Sequence, residues 1–165
     1  MRVAIVYYSL TGRTREVARE IGNVLEDLKY RIDYFEVRPV NEYPRRLAHI
    51  NPRVIKDTLS SKVIDIKGIE SFNPSNYDLV IICTPIWIGR ITPPIRSFIE
   101  LFKDKLKTPV ICITTSNIKR GYSTKFKEYL KSRGIKVVAH ASLTNINEAK
   151  EVARVLIRKL SDLMK

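Results

Sequence analysis

Short apolar runs alternate with amphipathic stretches from one end of this chain to the other. Val3-Ala4-Ile5-Val6 is a continuous apolar run, as expected of a strand buried on both faces. Val17, Ile21, Val24, Leu25 and Leu28 then recur at three- and four-residue steps, the stripe of an amphipathic helix. Arg31 to Val37 alternates polar and apolar and predicts an edge strand with one exposed face. Two further apolar strands are predicted, over Tyr77–Cys83 and over Pro109–Thr114. A last strand is predicted over Ile135–Leu143. Thr92 reads as an N-cap with Pro93 at the first helical position, ahead of the apolar stripe Ile95, Phe98, Ile99 and Phe102. Phe126, Tyr129 and Leu130 mark another helix. Asn145 with Glu148 forms a capping box before Val152, Ala153, Leu156, Leu160 and Leu163. Residues 40–76 carry no sustained period; Pro44, Pro52 and Pro74 punctuate them, and Val54, Ile55 and Leu59 hint at a short helix.

Five strands alternating with helices predict an α/β fold: a parallel sheet with right-handed crossovers and helices on both faces. The length of 165 residues suits a single domain over 1–165, with 40–76 packing on the sheet as a connection. In such sheets ligands bind beyond the carboxyl ends of the strands. The loops after the first, third and fourth strands are therefore the places to look for chemistry.

The first of these is Ser9-Leu10-Thr11-Gly12-Arg13-Thr14, where the strand stops and the helical pattern begins. A helix N-terminus leaves N–H groups unpaired and carries the positive end of the dipole, so it attracts an anion. Hydroxyls at Ser9, Thr11 and Thr14 add donors, and Gly12 lets backbone come close. An ordinary Ser/Thr cap is the competing explanation. Neither G-x-G-x-x-G nor G-x-x-x-x-G-K-[ST] is present, so the dinucleotide fingerprint and the nucleoside-triphosphate loop are excluded. The second loop, Thr84-Pro85-Ile86-Trp87-Ile88-Gly89-Arg90, holds the one Trp of the chain, either a core plug or a flat surface for a ring. The third, Thr115-Ser116-Asn117-Ile118-Lys119-Arg120-Gly121-Tyr122, is polar. A phosphate nest, an aromatic face and polar donors together suit a flat aromatic mononucleotide.

Ser9 to Thr14 resembles the S/T-x-T-G-x-T phosphate loop of flavodoxins and flavodoxin-like flavoproteins, and Tyr77–Gly89 is similar to their YD, apolar run, TP, W, G stretch. The resemblance implies a flavodoxin-like three-layer sandwich with strand order 2-1-3-4-5 and FMN at the switch point, the example usually given for that order. It implies that Ser9, Leu10, Thr11, Gly12, Arg13 and Thr14 hold the FMN phosphate. Thr84, Pro85, Ile86, Trp87, Ile88 and Gly89 would line one side of the isoalloxazine, with Trp87 stacking. Thr115, Ser116 and Asn117 would flank the other edge, and Tyr122 would cover the ring.

Charge changes the expected partners. The chain carries 30 Lys+Arg against 17 Asp+Glu, a formal net charge of +13, and residues 101–136 hold ten basic side chains against Asp104 and Glu128. Classical flavodoxins are acidic, so their basic partners would be repelled here, and a redox partner with an acidic docking surface, or NAD(P)H, is expected instead. In a chain without flavin, an acidic protein or nucleic acid is the rival ligand for such a surface, and nucleic acid is not the leading expectation. No residue stands out as a catalytic acid or base, as expected where a cofactor supplies the chemistry. Arg13, Arg90, Lys119 and Arg120 are candidates for the ligand edge. Cys83 and Cys112 sit in apolar strands as small hydrophobes, and with two scattered His (His49 and His140) they offer no metal cluster. No apolar run reaches membrane-span length and the N-terminus runs straight into a strand, so a cytoplasmic protein is expected. The absence of Gln and the abundance of Ile, Lys and Arg point weakly to a high-temperature origin. The leading expectation is an electron carrier. An FMN-dependent NAD(P)H:quinone-type oxidoreductase comes second, and a flavin-free basic binding module third.

Overall fold

The computed structural model describes residues 1–118 and 120–163. Its elements in chain order are β1 (Arg2–Tyr7), α1 (Arg13–Asp27), β2 (Arg31–Glu36), β3 (Arg38–Pro39), α2 (Pro52–Leu59), β4 (Ile66–Lys67), β5 (Leu79–Trp87), β6 (Arg90–Ile91), α3 (Pro93–Phe102), β7 (Val110–Thr115), α4 (Tyr122–Lys131), β8 (Val137–Leu143) and α5 (Glu148–Leu163). The long strands pair in parallel in the order β2-β1-β5-β7-β8, which is the predicted 2-1-3-4-5.

The five-stranded expectation needs correction, because β6 folds back antiparallel on the end of β5 and makes a sixth strand. The stretch expected as a loop, Thr84–Arg90, is thus mostly a hairpin. A separate two-stranded piece, β3 with β4, ties down the two ends of the 40–65 segment.

The period of two along each central strand builds two cores, one on each face. Ala4, Val6, Val80, Ile82, Val110 and Cys112 face Phe98 and Ile99 of α3 and Phe126 and Leu130 of α4. Val3, Ile5, Leu79, Ile81, Ile111 and Ile113 face Val17, Ile21 and Leu25 of α1 and Ala153 and Leu156 of α5. Leu160 and Leu163, expected to continue that last stripe, have side chains outside the described residues. The segment after β3 packs on the first core through Tyr43, Val54, Ile69 and Phe72, as expected of a connection lying on the sheet. Cys83 and Cys112 are free and buried, and burial pushes the Cys112 thiol up to about 12, so neither is a ready nucleophile.

The helices over the first core are also joined by charge. Glu100 on α3 accepts from Lys103 Nζ at 2.9 Å, from the Tyr129 hydroxyl at 3.2 Å and from Arg133 Nε. Burial alone would raise the Glu100 carboxyl; the bonds from Arg133 and Lys103 outweigh it and bring the pKa down to about 2. A depressed folded-state pKa means stability that is present above the unfolded value and is lost as pH falls through the folded one. Glu100→Gln is therefore expected to lower stability at pH 7 by about 1–2 kcal/mol. The difference from the parent should close between about pH 4 and pH 2. Urea unfolding across that range checks it, and a pH-independent gap would mean the carboxylate charge is irrelevant.

Candidate functional site

A cleft of ≈ 380 Å³ opens at the carboxyl ends of β1, β5 and β7. Its floor and one end are Ser9, Leu10, Thr11, Arg13 and Thr14; one wall is Pro85, Ile86, Trp87 and Ile88; Thr115, Ser116 and Asn117 close the far side. Three stretches far apart in the chain thus meet around one cleft. No carboxylate lines the cleft among the described residues.

At the first stretch, the Ser9 hydroxyl accepts from Gly12 N–H at 3.1 Å and folds the turn. Gly12 stands at φ 99°, ψ −19°, a left-handed conformation that glycine alone takes readily, at the N-cap position of α1. The first backbone bond at this end runs from Glu16 N–H to the Gly12 carbonyl at 3.0 Å. The N–H groups of Arg13, Thr14 and Arg15 come before it and find no partner within the helix. No side chain caps this end. The ordinary-cap explanation therefore fails for α1. The Ser9 and Thr14 hydroxyls are employed elsewhere, and the helix N-terminus is left with donors to spare.

Thr14 is buried, and its hydroxyl pairs with that of Thr115 at 2.8 Å, bolting the start of α1 to the end of β7. The pair holds two protons and uses one between its members, so one remains for a ligand. Arg13 reaches across to the third stretch. It donates to Asn117 Oδ1 at 2.6 Å, to the Ser116 carbonyl at 3.1 Å and to the Thr144 carbonyl. With no carboxylate among those partners its charge is free to meet an anion.

Thr84 is fully buried and does not reach the cleft; its hydroxyl donates to the Pro85 carbonyl at 2.9 Å and pairs with the Thr92 hydroxyl at 3.0 Å. Thr92 sits at the N-cap position of α3 as expected, but its hydroxyl is used on Thr84 and not on the helix. Trp87 stands edge-to-face with Tyr8 (centroids 5.6 Å apart, 80°) and with Tyr43 (5.4 Å, 87°) while still lining the cleft. Plug and platform are thus compatible roles. Ile88 and Gly89 form the hairpin tip with φ 50° and 71°. Gly89 and Tyr122 do not line the cleft; both lie in the adjoining cavity behind the hairpin. Arg90 faces that cavity too, Arg120 is exposed, and Lys119 lies outside the described residues.

Five cleft residues come from the segment without a readable period: Arg45, Leu47, Ala48, His49 and Val54. His49, expected as a surface residue, is exposed but on the lip. Leu47 stands at φ 54°, so two branched apolar residues, Leu47 and Ile88, hold left-handed conformations on the rim. They are 56% and 49% exposed, so burial does not compensate them. Strain of this kind persists where surrounding structure over-determines it and concentrates at ligand sites. Ile88→Asn, a residue that tolerates this region, is expected to stabilise the chain without ligand by about 1 kcal/mol, raising Tm by about 2–4 °C. Thermal unfolding checks it; no gain would show that the hairpin imposes no strain at its tip.

No protein-family model and no curated protein sequence matches this chain. Solved structures do. A flavoprotein from Lactobacillus acidophilus in complex with FMN is 22% identical, with TM-score 0.65 over 91% of this chain and 97% of that one. A protein of Bacteroides eggerthii assigned to the flavoproteins is 21% identical, with TM-score 0.74 over 94% and 98%. The two-electron reduced flavodoxin of Megasphaera elsdenii is 17% identical, with TM-score 0.63 over 94% and 98%. The fold is flavodoxin-like.

Proposed function

We propose that this chain is an FMN-binding redox protein that accepts and passes electrons through a non-covalently held flavin. The observation that carries the reading is the convergence of Ser9–Thr14, Pro85–Ile88 and Thr115–Asn117 on one cleft without carboxylates, at the end of α1 whose N–H groups lack partners. Those residues fit the group. The N–H groups of Arg13 to Arg15, the spare Thr14/Thr115 proton and the Arg13 guanidinium would hold the phosphate. Trp87, Pro85 and Ile86 would hold the ring, and Ser116 and Asn117 its polar edge. FMN, when bound, supplies the electron-accepting chemistry. The protein's part is to bind, to orient and to keep the ring edge accessible.

The rim favours a carrier. Leu47 and Ile88 are exposed apolar residues of the cleft, and Arg13 and Arg45 stand beside them. An apolar centre in a basic setting suits a redox partner with an acidic docking surface. No described helix is long and apolar enough to cross a membrane. The test is the absorbance spectrum of the protein with added FMN, followed by anaerobic NADPH. Flavin binding in the micromolar range or tighter, about −8 kcal/mol or better, is expected, with slow bleaching by NADPH. Fast bleaching would make the chain a reductase of NAD(P)H:quinone type. No binding at excess FMN, with salt-sensitive retention of nucleic acid, would replace the reading by a basic binding module.

A further inference from the structure

Behind the β5–β6 hairpin lies a second cavity of ≈ 390 Å³, sharing only Ile86 with the first. Its polar wall is Arg90, Arg96, Lys125, Tyr122 and Tyr129; Ile91 and Phe126 supply much of the rest. No Asp or Glu lines it among the described residues.

Arg96 is the unusual member. It lies near the start of α3 and is only 5% exposed, yet no carboxylate bonds it. Its terminal nitrogens donate to the carbonyls of Thr58 (3.2 Å), Asp57 (2.5 Å) and Lys62 (3.4 Å), and its Nε has no hydrogen-bond partner among the described residues. The carbonyls orient the guanidinium but leave its charge in place. Burial lowers the Arg96 pKa, and the nearby charge of Asp57 offsets it only in part. Nearby acids are already engaged. Asp57 accepts from Tyr43 and pairs with Arg53, and Glu100 serves Lys103, Tyr129 and Arg133. Among the described residues Arg90 has a single bond, to the Leu59 carbonyl at 3.3 Å, and Lys125 pairs with no acid.

We propose that this second cavity binds a small organic anion, one carboxylate or phosphate head on an apolar or aromatic body. The head meets Arg96, with Arg90 and Lys125 adding charge. The body lies against Ile91, Phe126 and the Tyr122 ring. The site is separate from the FMN cleft and does not depend on flavin being bound.

The test uses benzoate and phenyl phosphate as probes and benzyl alcohol as the uncharged match, followed by amide NMR shifts of the full chain. Saturable shifts confined to 86–96 and 122–129 are expected with both anions, and none with benzyl alcohol. Arg90→Ala with Lys125→Ala should weaken benzoate at least about tenfold. Arg96→Met should abolish it; if that variant does not fold, the double variant carries the test. Added FMN should leave the benzoate shifts in place, whereas shifts of residues 9–14 belong to the first cleft. That separates failure of this site from failure of the FMN reading. Binding indifferent to charge, or no saturable shift at 86–96 and 122–129, would overturn the proposal.

Discussion

Gly12→Val should raise the Kd for FMN at least ~100-fold while the chain stays folded, a loss of about 2.7 kcal/mol in binding. The position has φ 99°, which an L side chain avoids at about 1–2 kcal/mol. A Cβ there would meet nothing within 4 Å, so no clash threatens the core and the penalty is conformational. Relaxing it means rotating the peptide units that aim the N–H groups of Arg13 and Thr14, and these are the proposed phosphate donors. Tm should fall by a few degrees, in line with the strain alone. Gly12→Ala should show the same direction with a smaller loss. Isothermal titration with FMN, alongside thermal unfolding, separates the two effects. Unchanged affinity in Gly12→Val would remove the Ser9–Thr14 loop from the binding site.

The parts of the fold that repeat were legible. Alternation in Val3–Val6, Leu79–Cys83 and Val110–Thr114 sends successive residues to opposite cores, and a strand buried on both faces reads as one apolar run. The hairpin at the end of β5 was not legible because Pro85 reads as a loop residue. Its place in a strand is possible because β1 pairs with β5 only as far as Tyr7 opposite Cys83. Beyond that point no ladder donor is needed on that side. The short helix hinted at by Val54, Ile55 and Leu59 is α2; its start was not read, although Asn51 Oδ1 caps it by accepting from Arg53 and Val54 N–H at 3.0 and 3.3 Å.

The rim of the cleft was the illegible part. Tyr43, Val54, Ile69 and Phe72 anchor the 40–76 segment singly, at spacings with no period, so no stripe announces which face is buried. Leu47 at φ 54° contradicts local preference outright. Its conformation is set by the chain around it and leaves no trace in residue type. Tyr122 shows the limit of carrying a role over by position. It ends the third loop as the resemblance requires, yet it lines the adjoining cavity and not the cleft.

Trp87→Ala should weaken FMN about 10–100-fold, in the range found when an aromatic platform under a base is removed. It should also destabilise the chain without ligand by about 2 kcal/mol, less than a fully buried Trp because part of the ring lines the cleft. The edge-to-face pairs with Tyr8 and Tyr43 make the second loss certain in sign, since both contacts go with the indole. They do not by themselves produce the first, so the two roles come apart in Trp87→Phe. A smaller ring still offers a face, and should recover most of the FMN affinity while leaving much of the packing loss. A residue that only plugged the core would shift Tm in both variants and leave Kd alone. The parent protein offers an independent readout, because Trp87 is its one tryptophan and every indole photon reports this site. FMN held against that ring should quench most of the emission in step with binding. Bound FMN with undiminished emission would place the flavin away from Trp87 and leave the indole its structural role only.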